Sequence, residues 1–309
     1  MLSFVTLVII LVLVTLIPNV APGDPARQIA GGTASAERLA AVTESLGLDK
    51  SIPEQLVDSF RQLFTLDFGN AFRNQSQTVI SLVRGALWNS MKLVGFSLLL
   101  LLPLSILGGV VAAYKKDTLI DRVIVNVGVA LSSVPEFVVG VLLLAILAVP
   151  IGFFKVGANA PPGSGILTQM QHLLLPALTV LTVYFGYIAR VTRASSITAL
   201  DSDYSRTAFM KGLSPREVFQ KHILRNSLLP TVAVVGTQLG YMFGGMVGLE
   251  LIFNYPGLGR LILSAALEAD YPVLRGGVLT VAIIYMLATL SADLIICLLY
   301  TSPSPRDRG

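Results

Sequence analysis

Few side chains in this 309-residue chain could do chemistry, and their types and spacing restrict what that chemistry could be. There are two histidines, His172 and His222, and one cysteine, Cys297. A single cysteine excludes an intrachain disulfide and a cysteine metal cluster. Two widely separated histidines argue against a metal site or a Ser–His pair. No Gly-x4-Gly-Lys-Ser/Thr occurs, so the chain has no phosphate-binding loop of the ATPase type. Asp67-Phe68-Gly69 spells the kinase magnesium triplet, but no glycine-rich or catalytic loop accompanies it. Asn74-Gln75-Ser76 matches a glycosylation sequon, a pattern frequent by chance. Two features are left. Glu136 is an acid well inside an apolar run, and a basic, turn-rich segment extends from Asp203 to Pro230.

The elements that carry them belong to a membrane protein. Hydrophobic residues make up 54% and charged residues 13%, with mean hydropathy +0.75. Soluble domains carry about 25% charged residues. A chain this poor in charge could not cover its own surface in water, whereas lipid solvates an apolar exterior. A spanning helix needs roughly 20 apolar residues. Six runs qualify: 2–21, 88–114, 123–150, 173–194, 229–253 and 276–300. The fold class is therefore all-α, with six transmembrane helices. Gly108, Gly109, Gly244, Gly245 and Gly248 would let helix backbones approach closely. No basic residue precedes the first run and no good small-residue cleavage site follows it, so it reads as a retained helix rather than a signal peptide. Cys297 lies in the last run and reads as a packing residue.

Charge sets the orientation. Over the stretch 190–225, at the end of the fourth run and in the loop after it, Arg190, Arg193, Arg206, Lys211, Arg216, Lys221 and Arg225 stand against only Asp201, Asp203 and Glu217. Lys115, Lys116 and Arg122 crowd another short link. By the positive-inside rule both are cytoplasmic, which places both termini there too. The alternate loops, including 22–87 and 254–275, are then external. Loop 22–87 has short helices of its own. Ser51 and Glu54 form a capping box with Pro53 in the first turn, followed by Leu56, Phe60, Leu63 and Phe64 at helical spacing. An earlier helix over about 35–46 presents Leu39, Val42 and Leu46 and stops at Gly47. The segments are thus a first helix 1–21, an external insertion 22–87, a five-helix core 88–300 containing the loop 195–228, and a low-complexity tail 301–309, read as disordered or artefactual.

The basic loop folds into a helix–turn–helix. Its first helix ends at Gly212, and Ser214 caps a second with Pro215 first and Glu217 three residues after the cap. In a soluble protein a basic helix pair suggests DNA. Here spans flank it closely on both sides, so a duplex would meet the bilayer and nucleic acid is excluded as a partner. A plain positive-inside loop would carry the same charges.

The segment resembles the EAA loop of ABC importer permeases, whose pattern is Glu-Ala-Ala, three residues, Gly, nine residues, Ile-x-Leu-Pro. Arg206-Thr207-Ala208 holds the first three positions and Gly212 the glycine, while His222, Leu224 and Arg225 fall where Ile, Leu and Pro would be. Ala208, Gly212 and Leu224 agree with the general pattern. The fuller run, Tyr204-x-Arg206-Thr207-Ala208 through Gly212-Leu213-Ser214 to Asn226-Ser227-Leu228-Leu229-Pro230, is similar to the peptide, nickel and glutathione subgroup. Ala21-Pro22-Gly23-Asp24-Pro25, Ser133-Val134-Pro135-Glu136-Phe137, Pro256-Gly257-Leu258-Gly259-Arg260 and Asp270-Tyr271-Pro272 agree with it as well. The chain departs from the subgroup at its ends: it starts Met1-Leu2-Ser3 where members carry a basic stretch, and 301–309 resembles a fusion or assembly scar.

The resemblance implies a permease subunit of an ATP-driven importer in a bacterial or archaeal inner membrane, working by alternating access. The implied partners are a second, related permease (commonly as a heterodimer), two ATP-binding cassette subunits and an external substrate-binding protein. Di- and oligopeptides are the expected cargo, nickel or glutathione the alternative, and a stand-alone secondary transporter a more distant one. No cofactor is expected in this chain, and ATP hydrolysis is expected on separate subunits. Arg206, Thr207, Ala208, Lys211, Gly212 and Leu213 are the expected ATPase-docking residues, with Ala208 and Leu213 as apolar anchors and Arg206 and Lys211 at the rim. Glu136 would either line the substrate path or pack, hydrogen-bonded, against a partner helix. An ionised carboxylate there costs roughly 2.5–3.5 kcal/mol to insert, so protein or water must face it.

Overall fold

The computed structural model describes residues 2–21, 23–32, 34–73, 75–219 and 223–300. Sequence expectations for Asn74, Lys221, His222 and the tail 301–309 lie outside the described residues, as do the side chains of Arg216 and Arg225. The helices are α1 (Leu2–Val20), α2 (Pro25–Ala30), α3 (Ala36–Leu46), α4 (Ile52–Thr65), α5 (Val79–Tyr114), α6 (Leu119–Ser132), α7 (Glu136–Leu143), α8 (Ile166–Leu200), α9 (Asp203–Met210), α10 (Pro215–Val218), α11 (Leu224–Ile252), α12 (Leu258–Leu267) and α13 (Tyr271–Tyr300). Among the described residues the β-structure is one isolated bridge, Asn70 to Thr78.

Four stretches are long and apolar enough to cross a bilayer: Val79–Tyr114, Ile166–Leu200, Pro230–Ile252 and Tyr271–Ile295. The run expected as one span over 123–150 is not one helix. It breaks between α6 and α7 with a bend of 106°, and counts as a fifth crossing only if the bent pair is taken together. The cause is local. Ser132 and Ser133 donate their hydroxyls to the Gly128 and Val129 carbonyls, and Pro135 has no N–H to continue the ladder and disfavours helix at the residue before it. Pro103 and Pro176 stay inside α5 and α8. The apolar stretch Phe4–Val20 of α1 is shorter than these spans, so the expected six are reached only by counting both it and the bent pair.

The chain forms two compact units. One comprises the residues up to Met91 with Met246–Leu251 and Tyr255–Met286. Its core gathers Leu11, Phe68, Val79, Leu258, Leu274 and Leu279, with Leu46, Phe60 and Leu63 packed against it. The short helices of the 22–87 loop form as their caps dictate. Ser51 and Glu54 close the capping box that starts α4, and α3 ends on Gly47 in the left-handed region. Phe64 is 78% exposed, so α4 packs through Phe60 and Leu63 and turns Phe64 out. The Ser51 hydroxyl and N–H hold the Glu54 carboxyl below its usual range.

The other unit comprises Lys92–Gly245, Ile252–Asn254 and the residues from Leu287 onward. Its helices meet at small residues. A Cβ on Gly128 would stand 2.7 Å from the Gly186 Cα, so α6 and α8 cross backbone to backbone. A Cβ on Gly109 would stand 2.6 Å from the Thr192 Cβ, and one on Gly108 2.8 Å from the Phe185 ring. Gly245 faces the Glu136 carboxylate, whereas Gly244 opens on empty space. The Gly128–Gly186 contact is a close approach of α6 to α8, and neither residue stands out in the sequence.

Candidate functional site

The helix–turn–helix is built by its own hydrogen bonds. The Ser202 hydroxyl and the buried Ser205 hydroxyl each donate to the Ala199 carbonyl, at 2.6 Å, which folds α9 back onto the end of α8. α9 ends in a Schellman turn. Gly212, with φ +78°, donates its N–H to the Phe209 carbonyl at 3.0 Å, and Leu213 donates to Ala208 at 3.3 Å. The paired apolar contact is present too, since Leu213 packs against the cluster that contains Ala208. Ser214 then opens α10. Its N–H and hydroxyl donate to Glu217 Oε2 at 3.0 and 2.8 Å, and the Glu217 N–H returns to the Ser214 hydroxyl at 3.4 Å.

This architecture divides the expected docking residues. Arg206, Thr207, Lys211 and Gly212 are exposed. Ala208 is 4% exposed and sits in a small core with Ala199, Val218 and Ile223, while Leu213 is half-buried against that core. The expectation that Ala208 and Leu213 present an apolar surface is therefore corrected, because their side chains hold the turn together. The exposed apolar groups are Met210 at 83% and Phe209 and Tyr204 at 41% each. Sequence reasoning missed these three. The available signal was periodic: with Ala208 inward on α9, Met210 lies about 200° round the helix. The loop is also fastened sideways by Phe219, whose ring meets Tyr114 of α5 edge-on at 5.5 Å.

Glu136 begins α7, just after the break. The Tyr184 hydroxyl of α8 donates to its Oε1 at 2.6 Å, and a Cβ on Gly245 of α11 would stand 2.6 Å from the same oxygen. The residue is half-buried. The carboxylate thus has a hydrogen-bond partner on a neighbouring helix and is not fully enclosed.

A second buried acid, Glu250, belongs to the other unit and is 0% exposed. It accepts from the Ser90 hydroxyl at 2.5 Å and from the Arg260 N–H at 2.9 Å, while Ser90 accepts from the Leu258 N–H at 2.8 Å. Acid and serine together cap α12 and fix the turn Tyr255–Gly257, where a Cβ on Gly257 would stand 2.6 Å from the Glu250 Oε2. Burial beside Glu250 pushes the Tyr255 phenol up, so it stays protonated and donates to the Asn89 carbonyl at 2.8 Å. Glu250 is thus a structural acid. The Pro256-Gly257-Leu258-Gly259-Arg260 motif is the turn it shapes. His172 meets the Gly157 carbonyl at 2.7 Å, and no metal-holding group of His, Cys, Asp or Glu occurs among the described residues.

Known proteins match this chain along nearly its whole length. Residues 105–302 match the family described as binding-protein-dependent transport system inner membrane component, and residues 1–83 match its N-terminal companion family. A Sinorhizobium fredii protein named "Probable peptide ABC transporter permease protein y4tP" is 33% identical over 96% of this chain and 93% of its own length. The "Glutathione transport system permease protein GsiC" of Salmonella choleraesuis is 35% identical over 98% of this chain and 95% of its own. An all-α fold of several apolar helices, a helix–turn–helix loop with a Schellman turn and two family matches lead to one conclusion: the chain belongs to the binding-protein-dependent transport system inner membrane component family and is the membrane component of such an importer.

Proposed function

We propose that this permease forms one half of a translocation path for di- and oligopeptides and that the α9–turn–α10 loop is its seat on the ATPase. The observation that carries the docking reading is the exposed tip, with Met210 and Phe209 displayed beside Arg206, Lys211 and Gly212. An apolar centre with a charged rim is the arrangement in which a few buried anchors supply most of the binding energy. The loop 195–228 and both termini lie in the cytoplasm, and 22–87 and 254–275 lie outside, in a bacterial or archaeal inner membrane. The basic residues support this orientation. A second, related permease completes the path, two ATP-binding cassette subunits hydrolyse ATP, and an external binding protein delivers cargo. The chain itself carries no catalytic site and no cofactor. Glu136 lines the path with its open side while Tyr184 steadies the other. Peptide cargo is supported by the name of the Sinorhizobium relative, and glutathione, itself a tripeptide, by the Salmonella one.

The test is Met210→Glu, because a charge at the apolar centre must be desolvated when the ATPase docks. Co-purification of the ATPase is expected to fall about ten-fold or more, with the permease still inserted at its normal level, and Arg206→Ala is expected to cost far less. Undiminished ATPase recovery with Met210→Glu would overturn the docking assignment.

A further inference from the structure

The cytoplasmic loop rests on the last turns of α8, and one residue of α8 two turns earlier makes an unusual contact. Arg193 grips Asp121 at the start of α6 with two parallel bonds, Nε to Oδ1 at 2.5 Å and Nη2 to Oδ2 at 2.6 Å. The Asp121 side chain is 5% exposed and the Arg193 side chain 24%. Asp121 also accepts the Asp117 N–H at 2.9 Å, and Asp117 stands at φ +65° in the link from α5. The start of α6, the body of α8 and the link from α5 therefore converge on one carboxylate. Further along, α6 and α8 cross at Gly128 and Gly186. Beyond the break, Glu136 of α7 is held by Tyr184 of α8. The bent α6–α7 pair is thus strapped to α8 at three levels, of which the ion pair is the one nearest the loop.

We infer that the Asp121–Arg193 pair is a positioning link that makes α6 and the 133–135 break follow the displacement of α8 when the ATPase moves the loop. This rests on the docking reading above. Two physical arguments favour positioning over stability. A buried ion pair seldom stabilises more than well-packed apolar residues of the same volume, because both charges must be desolvated. A bidentate guanidinium–carboxylate fork, however, fixes rotation and rise together, which packing of interchangeable methyl groups does not. Arg193 and Asp121 are positioning residues and touch no cargo in this scheme.

The experiment uses the complete complex in proteoliposomes. It measures ATP hydrolysed and uptake of whichever of labelled trialanine and labelled glutathione the wild-type complex imports, each per assembled complex. Asp121→Asn is expected to leave ATPase recovery near normal and to raise the ATP hydrolysed per imported molecule about ten-fold. Arg193→Lys, which keeps the charge and loses the fork, is expected to uncouple in the same way. The double variant Asp121→Leu with Arg193→Met removes both buried charges and is expected to restore thermal stability without restoring coupling. Normal coupling in that double variant would reduce the pair to a stabilising contact and overturn the inference. So would uptake in Asp121→Asn that falls only in proportion to the complex recovered. Met210→Glu separates the two readings. If it leaves ATPase recovery intact, the docking assignment fails. If it abolishes recovery while the apolar double variant couples normally, the positioning link alone fails.

Discussion

Gly212→Val is expected to leave the permease in the membrane and to lower both ATPase recovery and uptake about ten-fold or more, whereas Gly212→Ala is milder. The reasoning is conformational. Gly212 has φ +78°, and a Cβ there would meet nothing within 4 Å, so the penalty lies in the backbone alone. A left-handed L-residue costs roughly 1–2 kcal/mol, and a β-branched one is a genuine outlier in that region. Valine would be relieved by letting the turn out of the left-handed region. That breaks the Gly212–Phe209 and Leu213–Ala208 bonds and swings Met210 and Lys211 out of register. The membrane helices take no part in this, so insertion is unaffected. Co-purification and uptake measured side by side check it.

Gly186→Val is expected to have the opposite character, with the folded protein itself lost. The Cβ would sit on the Gly128 backbone, and Gly128 has no side chain that could move aside. Relief requires α6 and α8 to separate. Overpacking commonly costs about 1–3 kcal/mol when a flexible neighbour can yield, and backbone against backbone cannot. Even Gly186→Ala should lower the thermal midpoint in detergent and the monodisperse fraction. Gly244→Ala is the control, since nothing lies within 4 Å of its Cβ position. It is expected to be silent.

Sequence and structure agree where the determining interactions are local. Ser51 with Glu54, Ser214 with Glu217, and Gly47 and Gly212 each act within a few residues, and each forms as read. The membrane character needs only composition and run length. Agreement stops where the deciding partner is distant. Ala208 could face either side of a short helix until Ala199, Val218 and Ile223 supply its inner face. The 106° break is hidden because the apolar run continues across it. Pro18, Pro103, Pro176 and Pro230 stay inside their helices, whereas Pro135 follows two successive serines, Ser132 and Ser133, whose hydroxyls both take helical carbonyls. Only the fold brings Ser90, from 160 positions away, against Glu250. Arg193 counts toward the positive-inside charge in the sequence, yet in the structure that charge is taken up by Asp121.

We propose the α9–turn–α10 tip as the ATPase seat, with Met210 the most exposed apolar group on it. The most direct measurement replaces the sole cysteine, Cys297, with serine, places a cysteine at 210 by Met210→Cys, and attaches a benzophenone photo-crosslinker in the assembled complex. The expected result is a crosslink to the ATP-binding cassette subunit from position 210, labelling of that cysteine only after the cytoplasmic side is opened, and no ATPase crosslink when the probe sits at position 57 on α4. Labelling of position 210 from outside the cell, or a crosslink from it to the binding protein in place of the ATPase, would contradict the account.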